Sequence, residues 1–358
     1  MAAYVIVAAI AVGPVVLALL QPVSVGAWLL LAAALLWALV LLIRLARFSR
    51  PLRVDGIAVP LHGRELRTLV DQIAALYAAS APERIMLSET MEVAVVERAS
   101  WLGLRGGPTD LLIHPTLFTH LSADHLAALI AAEFVRHSRR RPAAARRAER
   151  IHQTLTALFG RRSIRLGCCG RLLRSLLRPL LTRYQDAAFE ATIAADAEAA
   201  RQAGADTLHS ALVHRYLFQR SWQRFREQEV SWHLTVKGIG PRDHLGGFAR
   251  FLEDRIERMV RIPRNEFVAR PAWWSLEPPI GHRLADLSID AEFQATETDG
   301  VRAAELVEHF GRYVIEFEDQ VLNRGMQLLD WPEYTARATA AQQRRGSVRE
   351  GGLEPPRP

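Results

Sequence analysis

LSADHLAALIAAEFVRHSRRR, residues 121–141, is the stretch on which the reading of this chain turns. Leu126, Leu129, Ile130, Glu133, Phe134 and His137 recur at helical spacing, and Ser122 ahead of Asp124 and the apolar run marks a helix start. The spacing predicts a long, mostly apolar helix that carries a carboxylate, Glu133. Burying an unpaired charge is costly, so Glu133 must be solvated, paired or functional. Beyond it, residues 138–150 are dense in Arg and Ala and read as a solvated helical continuation, broken or kinked near Pro142.

Upstream of this helix, residues 3–20 and 26–43 are almost uncharged and rich in Val, Leu, Ala and Ile. Each is close to the ~20 residues that span a bilayer. Gly13-Pro14 would kink the first span, which lipid-embedded helices tolerate. Arg44, Arg47, Arg50 and Arg53 follow the second at once, so a hairpin with both ends in the cytoplasm is expected. A cleaved signal peptide would need a positive start, and Met1-Ala2-Ala3-Tyr4 has none. The protein is therefore expected in the inner or plasma membrane, its soluble part on the cytoplasmic side.

Between hairpin and helix, residues 51–63 resemble a linker and residues 64–79 an amphipathic helix. Residues 84–88, 93–98 and 111–114 read as short strands, with a turn at Arg105-Gly106-Gly107-Pro108. Downstream, Leu173, Leu176, Leu177, Leu180 and Leu181 form one face of a helix and Arg171, Arg174 and Arg178 the other. That pattern suits an anionic membrane surface, and equally a core helix with a charged outside. Residues 187–204, 208–226, 248–261 and 301–329 read as further helices. The tail after Ala341 has no apolar period and is expected to be disordered.

Composition bounds the function. With 23% charged and 50% hydrophobic residues in 358, the chain can build a real core. The net charge of +7 is carried almost wholly by arginine, Lys237 being the only lysine. Arg interleaved with Tyr216, Phe218, Trp222 and Phe225 could contact nucleic acid, but the helical spacing favours core packing, so nucleic acid is an unlikely partner. Cys168 and Cys169 are adjacent, which indicates neither a disulfide framework nor a thiolate zinc site; they read as buried thiols or, beside a membrane-surface helix, as acylation sites. Residues 238–247 are glycine-rich but lack a phosphate-cradling pattern.

Taken in order, these parts resemble the Ste24/HtpX-like family of membrane-anchored zinc metallopeptidases. Residues 111–137, LLIHPTLFTHLSADHLAALIAAEFVRH, look like that family's strand, short helix and active-site helix. Residues 191–204, ATIAADAEAARQAG, look like the later helix that carries the third metal ligand. Residues 273–287, WWSLEPPIGHRLADL, look like its downstream His-Pro-Pro element, with Pro278, Pro279, Arg283 and Leu287 matching and Glu277 standing for the His. The resemblance implies a mainly α fold with a small β-sheet, a gluzincin-like metallopeptidase fold behind the transmembrane hairpin. It divides the chain into a hairpin (1–50), a degenerate peptidase-like domain (51–290), a C-terminal helical extension (291–341) and a disordered tail (342–358).

The departures from that family decide the expected chemistry. A His-Glu-x-x-His motif puts two imidazoles on one zinc and lets the Glu activate its water. Laid on this chain the motif falls on Ala132, Glu133, Phe134, Val135 and Arg136, and the family's glutamate ligand falls on Thr192 beside Ala195-Asp196. The glutamate survives and all three ligands are missing, so no zinc is expected and Glu133 reads as vestigial. A relocated site from Glu133, His137 and Glu190 or Glu198, with His125 two turns before Ala132, is geometrically conceivable. The leading expectation is a pseudopeptidase that binds polypeptides or regulates an active relative. The alternatives are an active metalloendopeptidase with a relocated site and a basic membrane-surface scaffold. Arg136, one turn after Glu133, is expected to pair with Glu133, Asp196 or both, an organic cation in place of the metal.

Overall fold

The computed structural model describes residues 58–98, 106–138, 167–230, 237–253, 277–285 and 300–350, with single residues at 146, 149, 234, 235 and 287. The expected hairpin and the Arg-rich continuation after residue 138 lie outside them. Among the described residues, no helix is long and apolar enough to cross a membrane. The chain divides into two compact units. One comprises Met1–Arg53, Glu97–Pro108 and Pro142–Leu181; the other comprises Val54–Val96, Thr109–Arg141 and Thr182–Pro358 and holds every residue discussed below as part of a site.

The second unit is mainly helical with a small sheet. Strand β1 (Ala58–Pro60) leads through Gly63 into α1 (Arg64–Leu76), which buries Leu66, Val70 and Ala74 at four-residue spacing. Gly63 is closely packed, since a Cβ there would come within 3.1 Å of the Leu306 carbonyl and the neighbouring backbone would have to give. Strands β2 (Arg84–Ser88), β3 (Val93–Glu97) and β4 (Thr109–Ile113) complete a four-stranded sheet in the order β1-β2-β4-β3. β1 pairs antiparallel with β2, and β2 runs parallel to β4. The inner strands β2 and β4 are buried on both faces, which explains their continuous apolar runs rather than alternation. β1 falls in the stretch that resembled a linker; three residues ending at Pro60 carry too little pattern to announce a strand.

After β4, His114 caps α2 (Pro115–His120) by accepting from the Thr116 N–H at 3.1 Å, with Pro115 in the first turn. Ser122 then caps α3 (Ala123–Arg136), the organising helix, by accepting from the His125 N–H. α3 buries Leu126, Leu129, Ile130 and Phe134 and ends earlier than residue 141. His137 turns its ring Nδ1 back to the Glu133 carbonyl, and the Ser138 hydroxyl donates to the Tyr77 carbonyl at 2.7 Å.

α4 (Gly167–Ala203) and α5 (Ala205–Gln228) follow, joined at Gly204 with φ of 92°. The backbone is helical from Gly167, but the face that residues 167–181 present lies outside the described side chains. α5 packs along α3 and carries Trp222 and Phe225 into an aromatic core with Phe248 and Phe251. β5 (Ile239–Pro241) and α6 (His244–Glu253) occupy the glycine-rich stretch, where Gly247 lies so close under the Trp331 indole that no side chain fits. α7 (Ile280–Ala285) is short.

Residues 301–329 are not one helix. They form a 3-10 turn (Ala303–Leu306), α8 (Phe310–Phe317), a π turn (Glu318–Leu322) and β6 (Gln327–Leu329), which pairs parallel with β5. His309, left-handed at φ of 56°, and Gly325 at 72° break the run. This extension packs with the preceding domain rather than apart from it: Ala123 N–H donates to Val301, and Ala303 N–H to Leu121. The last helix, α9 (Trp331–Glu350), runs past residue 341 into the stretch expected to be disordered. Its Ala, Gln and Arg are good helix formers without an apolar face.

Candidate functional site

Glu133 sits three turns into α3, 5% exposed, with Ala132 beside it at 2%. Its neighbours on the buried face are apolar, so the carboxylate needs a partner. Arg136, one turn on and 8% exposed, supplies it: Nη1 donates to Glu133 Oε1 at 2.9 Å. His137 Nδ1 lies 4.0 Å from Glu133 Oε2 and is spent on the helix carbonyl.

Asp196 on α4 is 1% exposed and takes its cation from elsewhere. Arg283 on α7 grips it bidentately, Nε to Oδ2 and Nη2 to Oδ1, both at 2.7 Å. Of the two partners foreseen for Arg136, Glu133 is therefore the one it meets, and Asp196 belongs to Arg283. Thr192, one turn before Asp196 and 1% exposed, donates its hydroxyl to the Ala188 carbonyl at 2.9 Å within its own helix.

A third pair was not foreseen. Arg215 on α5, 5% exposed, donates from Nη1 and Nη2 to Glu277 Oε1 and Oε2 at 3.0 and 3.3 Å. Arg283 Nη1 stands 3.8 Å from the same carboxylate. Burial alone would raise Glu277, but Arg215 and Arg283, with Arg136 beyond, outweigh it and bring its carboxyl down to about 2. The signal for Arg215 was present: it interrupts the apolar stripe Leu208, Ala211, Leu212, Phe218, Trp222 of α5. A charge in such a stripe is buried with a partner, but spacing does not name the partner.

Glu92 lies half-buried just ahead of the outer strand β3. Burial raises its carboxyl, and the negative charges of Glu277 and Glu133 raise it further against the Thr90 hydroxyl and Arg215. Among the described residues it has no ion pair. The ion pairs of Asp196, Arg283, Glu277 and Arg215 thus join α4, α5, α7 and residue 277.

The residues that the resemblance sets at zinc-ligand positions do not fit a metal. Ala132 has no lone pair, Thr192 has committed its hydroxyl, and Arg136 carries a permanent positive charge that repels a dication. Nor do the candidates for a relocated site converge: Glu190 is exposed, and Glu198 pairs with Arg201 on its own helix. Among the described residues, no group of three or more His, Cys, Asp and Glu side chains is placed to hold a metal ion. His125 of α3 instead packs its ring against His214 of α5, centroids 5.6 Å apart. Burial and the neighbouring His125 lower His214 to about 4, so that ring is neutral near pH 7.

Chemically, these pairs neutralise and fasten. Each bidentate pair ties two elements together, α4 to α7 through Asp196 and Arg283, and α5 to residue 277 through Arg215. No family model, curated protein or solved structure matches the chain.

Proposed function

We propose that this chain is a membrane-anchored, catalytically inactive relative of the Ste24/HtpX-like zinc metallopeptidases, with a gluzincin-like fold behind an N-terminal transmembrane hairpin, that binds polypeptides or regulates an active partner. The observation that carries this reading is the Arg136–Glu133 pair. The residue that would activate a zinc-bound water is instead neutralised by a guanidinium standing where a zinc ligand would be. Without a metal, Glu133 has no bound water whose pKa it could exploit. α3 packs along α5, and β3 is an edge strand of the sheet, where an extended polypeptide could add a strand.

The reading is tested with the purified full-length chain and an unfolded polypeptide, reduced and carboxymethylated α-lactalbumin. Retention of that polypeptide without new fragments supports it. Cleavage that a chelator abolishes contradicts it and favours the relocated metal site. Absence of both retention and association with an active peptidase of the same membrane rejects the binding role.

A further inference from the structure

The turn that opens α6 is tied to the C-terminal extension by hydrogen bonds, most of them between groups that do not ionise. The Arg242 N–H donates to the Leu329 carbonyl at 2.8 Å. The Asn323 carboxamide donates to the Arg242 carbonyl at 3.2 Å, and the Trp331 indole to the Asp243 carbonyl at 2.6 Å. Glu318 adds a tie of another kind: its Oε1 accepts from the Leu245 N–H at 2.6 Å.

Glu318 is 7% exposed and opens the π turn, where the Asn323 N–H returns to the Glu318 carbonyl at 2.7 Å. Such wide turns are uncommon and recur at functional positions. Among the described residues no cation pairs with Glu318. Its support is the N–H groups of Leu245 and His244 at the start of α6. Against it stand burial and two acidic neighbours, Asp243 ahead of α6 and Asp319 beside it in the π turn. The remaining charged groups around the turn are engaged or neutral. Arg250 lies 3.9 Å from Asp243, Arg242 lies 3.5 Å from Asp330, and Arg226 pairs with Glu89 at 3.0 Å. β1, which also packs on the π turn, brings only Ala58, Val59 and Pro60. The His244 ring is lowered to about 4, chiefly by burial, and is neutral above that pH.

We infer that Glu318 is a proton-controlled latch: protonated, it fastens the C-terminal extension to the start of α6, and ionised, it lets the π turn part from α6. Closing buries the carboxyl beside two acidic groups, and opening returns it to water. Its value is about 7 when closed, against an ordinary 4.5 when open. The closed form therefore has its full advantage below about pH 4.5 and loses it as pH rises to 7. The backbone, carboxamide and indole ties do not titrate, so the opening stays local. The latch is independent of what the chain binds.

Hydrogen–deuterium exchange of the full-length chain in detergent, corrected for the intrinsic pH dependence of exchange, tests the latch at pH 5.5 and 7.5. Residues 244–250 and 319–324 of the native chain should lose protection about twentyfold over that interval, as values of about 7 and 4.5 require. β2 and β4 should keep theirs. Glu318→Gln, a near-isostere of the protonated carboxyl that cannot ionise, should hold full protection at both pH values. His244→Gln should retain the native pH dependence; its disappearance there would assign the imidazole and overturn the inference. Equal protection of the native chain at both pH values, or the same loss in Glu318→Gln, also overturns it. So does a loss shared equally by β2 and β4, since the whole domain would then be opening.

Discussion

Replacing Arg136 by alanine removes the cation from a carboxylate that has little other recourse. The two side chains are 9% and 7% exposed and meet at 2.9 Å. Breaking a buried pair by deleting one partner costs ~3–5 kcal/mol. Arg215, whose charge is coupled to Glu133, relieves part of that cost. The expected loss is therefore about 3 kcal/mol. Urea unfolding followed by tryptophan fluorescence reads it. Adding Glu133→Gln to Arg136→Ala should recover most of the loss, because the pair is then removed together. A loss below about 1 kcal/mol would show a solvated surface pair and refute the reasoning.

Arg283→Met should cost at least as much, ~3–5 kcal/mol, because it strips both hydrogen bonds from Asp196, itself 1% exposed; in an Asp196→Asn background the loss should shrink by roughly half in the same unfolding assay. Glu318 gives a pH signature of its own. Burial, aided by Asp243 and Asp319, outweighs the N–H groups of Leu245 and His244 and pushes its carboxyl up to about 7. With its folded value raised, its contribution to stability is complete below about pH 4.5 and lost as pH rises through 7. Glu318→Gln should therefore flatten the stability profile across that window, with a gap of about 3 kcal/mol at pH 8. For the expected hairpin, reporter fusions after residue 60 should be active only as cytoplasmic reporters; an active extracytoplasmic reporter there would reverse the topology.

What the sequence disclosed depended on the range of the interaction. Glu133 and Arg136 lie at i,i+3 on one helix, so their meeting follows from helical geometry alone, and the structure places them at 2.9 Å. The caps of α2 and α3 are equally local, set by His114 with Pro115 and by Ser122. Asp196 and Arg283 are 87 residues apart, and Arg215 and Glu277 62 apart, so no spacing rule could join them. The C-terminal extension misled for a different reason. Between 301 and 329 the apolar spacing is helical over short pieces, and it is His309 and Gly325 in left-handed conformations that part them. The outer strand β1 was hidden because three residues cannot display alternation.

The proposed function has Arg136 standing at a position where the resembled family holds zinc, and metal content tests it most directly. Elemental analysis of the purified full-length chain, equilibrated with zinc and then freed of excess, should find well under one equivalent. Restoring histidine by Ala132→His with Arg136→His should not by itself raise it to one, because Thr192 offers no carboxylate. One equivalent of zinc in the native chain, lost when Glu133 and His137 are replaced, would contradict the proposal and favour an active peptidase with a relocated metal site.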